Sequence, residues 1–133
     1  MAEFPYRREK SNLFGMMYRP IASIHFIVNG NEIIQFMYVD SGADITLIPK
    51  SVGELLGFEA GDEIKEIYSV SGHKISVIIK NVDLRIGRHQ FNARVAWSLQ
   101  EDVPLLLGRL DIFDRFLVIF DESNEKKIFK WKK

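Results

Sequence analysis

The chain contains no cysteine, which removes disulfide staples, cysteine-ligated zinc and thiol catalysis from consideration. Histidine is scarce, and His25, His73 and His89 lack the spacing of a ligand set, so neither a metal nor another cofactor is expected. Charge of one sign is absent as an excess: Lys plus Arg and Asp plus Glu both number 18, which argues against a nucleic-acid partner. The one local excess, lysines alternating with Ile128, Phe129 and Trp131 after Lys126, reads as a solvated strand end. No apolar run reaches membrane-spanning length, and the opening MAEFPYRREKSNLFGMMYRP has no signal-peptide core. A cytoplasmic protein without membrane contact is the expectation.

What is present is β-forming sequence. At 133 residues the chain suits one domain able to bury its own core. Residues 1–19 mix charge, proline and aromatics without a period and read as an irregular arm, leaving 20–133 as the domain. Ile21 to Val28 and Ile33 to Val39 are rich in β-branched and aromatic residues, and Asn29-Gly30 between them signals a hairpin. Glu63 to Val70 and His73 to Val82 flank Ser71-Gly72 as a second hairpin; Leu84 to Ile86 and Gln90 to Trp97 suggest a third. Leu117 to Asp121 and Lys126 to Trp131 form a last one. Ser51 to Leu56 and Arg109 to Phe116 read as short helices, the latter from the spacing of Leu110, Phe113 and Phe116, which also marks those phenylalanines as core. The count gives an antiparallel all-β domain with one or two short helices.

Chemistry concentrates in Met37 to Pro49, MYVDSGADITLIP, where Asp40 ends an apolar strand. Desolvating an ionised carboxylate is costly without partners, so this Asp needs local donors or a task. Gly42 lets backbone N–H groups approach the carboxylate, and Ser41 offers a hydroxyl donor. Peptide hydrolysis needs a base for water and an acid for the leaving group, which two adjacent carboxylates sharing a proton supply. The chain has a single Asp-Ser-Gly loop, so a second carboxylate must come from another copy across a two-fold axis.

Val39-Asp40-Ser41-Gly42-Ala43-Asp44 with Ile45 to Pro49 resembles the active-site loop of the retropepsin-like aspartic proteases, and Leu106-Leu107-Gly108-Arg109 resembles that family's second signature. The order of elements matches from about Pro20 to Trp131. The resemblance implies a small closed or partly open β-barrel of the acid-protease type and an endopeptidase acting on peptide or protein substrates as a homodimer. It implies Asp40 as the catalytic aspartate, Ser41 as a bond across the dimer axis, and Gly42 as the turn with its N–H near the carboxylates. Ala43 and Asp44 would border the substrate channel. Ile67 to Ile75 would be the flap, with Tyr68, Ser71 and Gly72 on its substrate side and Gly72 giving mobility at the tip. Gly108 and Arg109 would support the loop. Two departures stand out: Leu110 follows Arg109 where relatives often have Asp or Asn, so the polar role passes to Asp111 or is lost, and the tip Val70 to His73 has few glycines.

Plainer roles compete with some of these. Asp40 can brace a turn, Asp44 can cap local backbone, Tyr68 can be an ordinary strand tyrosine, and Arg109 can tie structure together without touching chemistry. The same fold can serve as a non-catalytic dimeric module for peptide binding or assembly. Asp40 and Asp44 as a hard-cation site lack further oxygen donors. In relatives the terminal strands commonly interleave between subunits, which would give Ile128 to Trp131 to the partner; the alternative packs the terminal hairpin within its own chain.

Overall fold

Most of the described part of residues 1–19 is strand rather than an irregular arm. In the computed structural model, which describes residues 1–11, 13–68 and 72–132, they form β1 (Ala2–Pro5), β2 (Arg7–Ser11) and β3 (Gly15–Arg19). Long-range contacts override weak local preference for β1. Its hydrogen-bonding partner lies at the opposite end of the chain, with Ala2 across from Phe129 and Phe4 across from Lys127. Phe4 meets Phe129 edge to face at 5.7 Å, and the Tyr6 hydroxyl donates to Glu122 at 2.8 Å. No window of sequence near residue 4 contains those partners. The turn from β2 to β3 is built from Ser11, whose hydroxyl accepts from the N–H groups of Leu13 and Phe14, and from Gly15 at φ 72°.

Strands β4 (Ile21–Val28) and β5 (Asn31–Val39) pair along their whole length around Asn29 and Gly30, whose φ angles of 48° and 81° give the turn its twist. After the Asp40 loop come β6 (Thr46–Ile48) and α1 (Lys50–Leu55). Strand β7 (Ile64–Tyr68) follows, then β8 (Lys74–Ile86) and β9 (His89–Ser98). The two segments read separately within β8 are one strand. Its first part pairs with β7, its length from Val77 onward pairs with β9, and Asp83 to Arg85 pair with β4. That last pairing closes a barrel. With β10 (Leu106–Leu107) inserted between β5 and β6, the closed order is β4-β5-β10-β6-β9-β8, and β7 hangs on β8 as the outer strand of the flap hairpin.

The expected helix over Arg109 to Phe116 is instead a pair of turns. Phe113 donates to the Arg109 carbonyl and Phe116 to that of Ile112, but Asp111 sits at φ 64° and interrupts any helix. Phe116 is in the core as the spacing implied, and Phe113 packs against the core half-buried, while Ile112, outside that spacing, is fully buried. Strands β11 (Phe116–Asp121) and β12 (Lys126–Trp131) complete the chain, and β12 lies between β1 and β11. Both edges of β12 are therefore occupied within one chain, which is the intrachain alternative for the terminal hairpin.

The barrel interior is filled by Ile24, Phe26, Met37, Leu84, Ile86 and Leu107, all solvent-free. Phe116 joins barrel to terminal sheet, touching Phe91, Phe129 and Trp131 at centroid distances of 5.5, 5.7 and 5.0 Å. Among the described residues no helix is long and apolar enough to cross a membrane.

Candidate active site

Asp40 leaves β5 at the point where β10 runs parallel to it, Leu106 beside Tyr38 and Leu107 beside Val39. Its N–H donates to the Leu107 carbonyl at 3.0 Å, so the residue is fixed to the second signature before the loop begins. The loop folds back at once: Ala43 N–H donates to the Asp40 carbonyl at 3.2 Å, and Gly42 N–H donates to Asp40 Oδ1 at 2.9 Å. This last bond orients the carboxylate. Gly42 does not hold a positive φ, so the turn itself does not demand glycine. A Cβ there would stand 3.3 Å from Asp40 Oδ1, tighter than ordinary contact, and the missing side chain leaves the carboxylate room beside the N–H that holds it.

The other half of the clamp comes from Gly108 and Arg109. Arg109 N–H donates to the Ala43 carbonyl and Leu110 N–H to that of Asp44, both at 2.9 Å. Gly108 N–H donates to the Thr46 hydroxyl at 3.1 Å in the buried interior. A Cβ on Gly108 would fall 2.4 Å from the Ile45 carbonyl carbon, a backbone atom that cannot step aside. Thr46, fully buried, is a residue that sequence reasoning missed; a hydroxyl inside the apolar run Ile45 to Ile48 was the available signal.

Above the loop lies a cleft of about 560 Å³. It brings together Asp40, Gly42, Ala43, Asp44 and Tyr68, with apolar walls from Leu47, Ile67, Ile75 and Leu106. Tyr68, 65% exposed, reaches it from the flap. Gly72 holds φ 85° near the flap tip and is exposed; Ser71 lies outside the described residues. Ser41 is exposed and does not line the cleft. Arg109 does not line it: its exposed side chain lines a second cleft of about 430 Å³ with Asp44, Asp111 and Asp114.

Asp111, at the position next to the substituted Leu110, is a structural clamp. Its carboxylate accepts from Arg94 Nε at 2.9 Å, from Arg94 Nη2 at 3.0 Å and from the Arg94 backbone N–H at 3.0 Å. Those bonds hold the Asp111 carboxyl below its usual range and tie the turns after Arg109 to β9. On the opposite flank the Tyr38 hydroxyl, two residues before Asp40, donates to Glu9 at 2.8 Å. Burial, reinforced by that acidic acceptor, pushes the phenol up.

The sequence profile of the family described as Aspartyl protease matches residues 24–109, from β4 through the second signature. Among solved structures, a retropepsin-like aspartic protease from Rickettsia conorii superposes with a TM-score of 0.66 at 22% identity, covering 97% of this chain and 90% of its own. The EIAV protease in complex with the inhibitor HBY-793 superposes with a TM-score of 0.53 at 19% identity, over 76% of this chain and 88% of its own. Among curated protein sequences none matches. With the Asp40 loop and the Gly108 signature interlocked inside a closed barrel, and the profile covering both, the chain belongs to the retropepsin-like aspartic protease family.

Proposed function

We propose that the chain is an aspartic endopeptidase, active as a homodimer in which the Asp40 loops of two subunits meet on a two-fold axis. The observation that carries this reading is the Asp40 carboxylate: it is half-buried at the floor of an apolar cleft, with Oδ1 held by Gly42 N–H and, among the described residues, no hydrogen bond to Oδ2. An oriented carboxylate with one free oxygen is half of a proton-sharing pair. Two such groups within hydrogen-bond reach cannot easily both ionise, so one takes a proton from the attacking water while the other donates to the substrate carbonyl.

The remaining parts take positioning roles. Asp44, which lines the cleft, accepts from substrate backbone N–H groups. Tyr68 and the flap hairpin, with Gly72 in a conformation open to glycine, close over bound peptide and exclude water. Ser41, exposed in one chain, is available to bond across the axis. Gly108 and Arg109 hold the loop through backbone bonds.

The test is cleavage of an unstructured protein such as casein by wild-type chain and by Asp40→Asn. The variant keeps side-chain volume but cannot cycle protons. It should remain folded and dimeric while losing cleavage by about a thousandfold or more. Cleavage near the wild-type rate, in a preparation checked against a mock purification, would overturn the reading in favour of a non-catalytic module.

A further inference from the structure

Strands β2 and β3 stand apart from the rest of the fold. Among the described residues their backbones pair as strands only with each other, as a two-stranded sheet beside the barrel and the terminal sheet. A lone two-stranded hairpin is marginal in water, so one this regular implies something packed on it. The body supports one face only: Glu9 accepts from the Tyr38 hydroxyl and from Arg7 at 2.6 Å, and stands 3.8 Å from Arg19. The register sets Arg8 opposite Tyr18 and Lys10 opposite Met16, on the other face. Leu13 and Phe14 at the tip are 79% and 71% exposed, and Met16 and Tyr18 are also exposed. Neither Arg8 nor Lys10 makes an ion pair among the described residues. The hairpin thus presents an unpartnered basic and apolar face.

Its root is at the Asp40 end of the barrel. Pro20, which joins β3 to β4, accepts through its carbonyl from Val39 N–H at 2.8 Å, one residue before Asp40. A surface of opposite charge flanks the same loop. The cleft of about 430 Å³ holds Asp44, Asp111 and Asp114 beside Arg109, and Asp44 and Asp114 make no ion pair among the described residues. Both edges of β12 are paired within the chain, so β12 offers no open edge to a partner. A dimer on the Asp40 axis therefore needs another element to hold it.

Resting on the dimeric reading above, we propose that the β2–β3 hairpin is a docking arm for a second copy of this chain, its Arg8 and Lys10 face seated on the partner's acidic cleft at Asp114. Two-fold symmetry makes the contact twice, arm to cleft and cleft to arm, around one axis. The catalytic pair, incomplete in one chain, is then aligned by the same contact.

The experiment uses the full chain. Arg8→Glu combined with Lys10→Glu should raise the dimer dissociation constant in sedimentation by at least about tenfold at low salt, with an unchanged circular dichroism spectrum. Because the chain has no cysteine, a second measurement stands independently of that variant. Chains carrying Lys10→Cys, mixed with chains carrying Asp114→Cys and oxidised, should form a disulfide-linked heterodimer. The control pairs Lys10→Cys with Asn31→Cys, a position at the far end of β5 from Asp40. A wild-type dimer whose affinity ignores the charge reversal, with cross-linking no higher than the control, overturns the arm and leaves the protease reading standing. So does a wild-type chain that binds phosphatidylserine vesicles or single-stranded RNA through Arg8 and Lys10 while the reversal leaves dimerisation unchanged. A wild-type chain monomeric throughout the micromolar range overturns the dimeric reading itself, and the arm with it.

Discussion

Gly108 and Thr46, 62 positions apart, meet inside the core, where the Gly108 N–H donates to the Thr46 hydroxyl at 3.1 Å. Through that bond the two signatures become one object: Thr46 starts the strand after the Asp40 loop, and Gly108 ends the strand that holds Asp40. Replacing Thr46 with Val keeps the shape but strands a buried N–H, at a cost of about 1–3 kcal/mol. Gly108→Ala is the harsher change, since its Cβ would overlap the Ile45 backbone. Thermal unfolding should rank wild type above Thr46→Val, and Thr46→Val above Gly108→Ala. An unchanged melting temperature for Gly108→Ala would mean the loop is looser than this packing implies.

Activity should be bell-shaped in pH with its optimum on the acid side of neutral. On the proposed paired-carboxylate mechanism, the acidic limb is where the pair gains its second proton and the basic limb where it loses the shared one. Asp44→Asn should keep both limbs and raise KM, because it sits at the cleft edge rather than in the pair. Initial rates across pH with a fluorogenic peptide decide this; a profile that rises steadily into alkali contradicts proton sharing.

Lys127 is fully buried, its ammonium donating to the Phe4 and Pro5 carbonyls at 3.0 and 2.6 Å, 5.3 Å from the Tyr6 ring. Burial pushes Lys127 down to about 8 from 10.5, while burial and then the bond to Glu122 push Tyr6 up to about 12 from 10.0. Between pH 8 and 10.5 the unfolded chain holds the lysine proton that the folded chain has released, so stability rises by about 3 kcal/mol across that window. Above pH 10 the unfolded chain ionises Tyr6 first, so stability falls again. Urea unfolding from pH 7 to 11 should show this maximum. Lys127→Met should remove the rise and Tyr6→Phe the fall; identical curves for Lys127→Met and wild type would contradict the assignment.

On the acid side, Asp111 has its carboxyl held low by Arg94, so its contribution is present above the ordinary Asp value of 3.8 and is lost as pH falls below that toward the folded value. Asp111→Asn tolerates the φ of 64° but gives up the charge. Its unfolding curve between pH 2 and 5 should be flatter than the wild-type curve, with lower stability at pH 7. Parallel curves would show that Arg94 and Asp111 are not coupled in solution.

Much of the barrel was written in local pattern. Asn29-Gly30 between two β-branched runs specifies a hairpin from backbone conformation alone, and the apolar-Asp-Ser-Gly sequence places a carboxylate at a strand end because its neighbours must be buried. Phe113 and Phe116 show how far such pattern reaches. Their spacing located Phe116 in the core, yet could not tell one helix from two turns, because Asp111 takes its left-handed backbone only where Arg94 arrives from β9 to hold the carboxylate. Strand β1 was invisible for the same reason: Ala2 to Pro5 are strand only because Phe129 and Lys127 lie beside them. The sequence by itself determined which residues turn, which are buried and which carboxylate stands at the loop. Tertiary structure decided which distant backbones clamp that loop, through Leu107, Thr46 and Gly108, and that β12 is spent within its own chain. Those outcomes depend on pairings between segments far apart in the chain, and a hydrogen bond to a residue a hundred positions away leaves no periodicity to read.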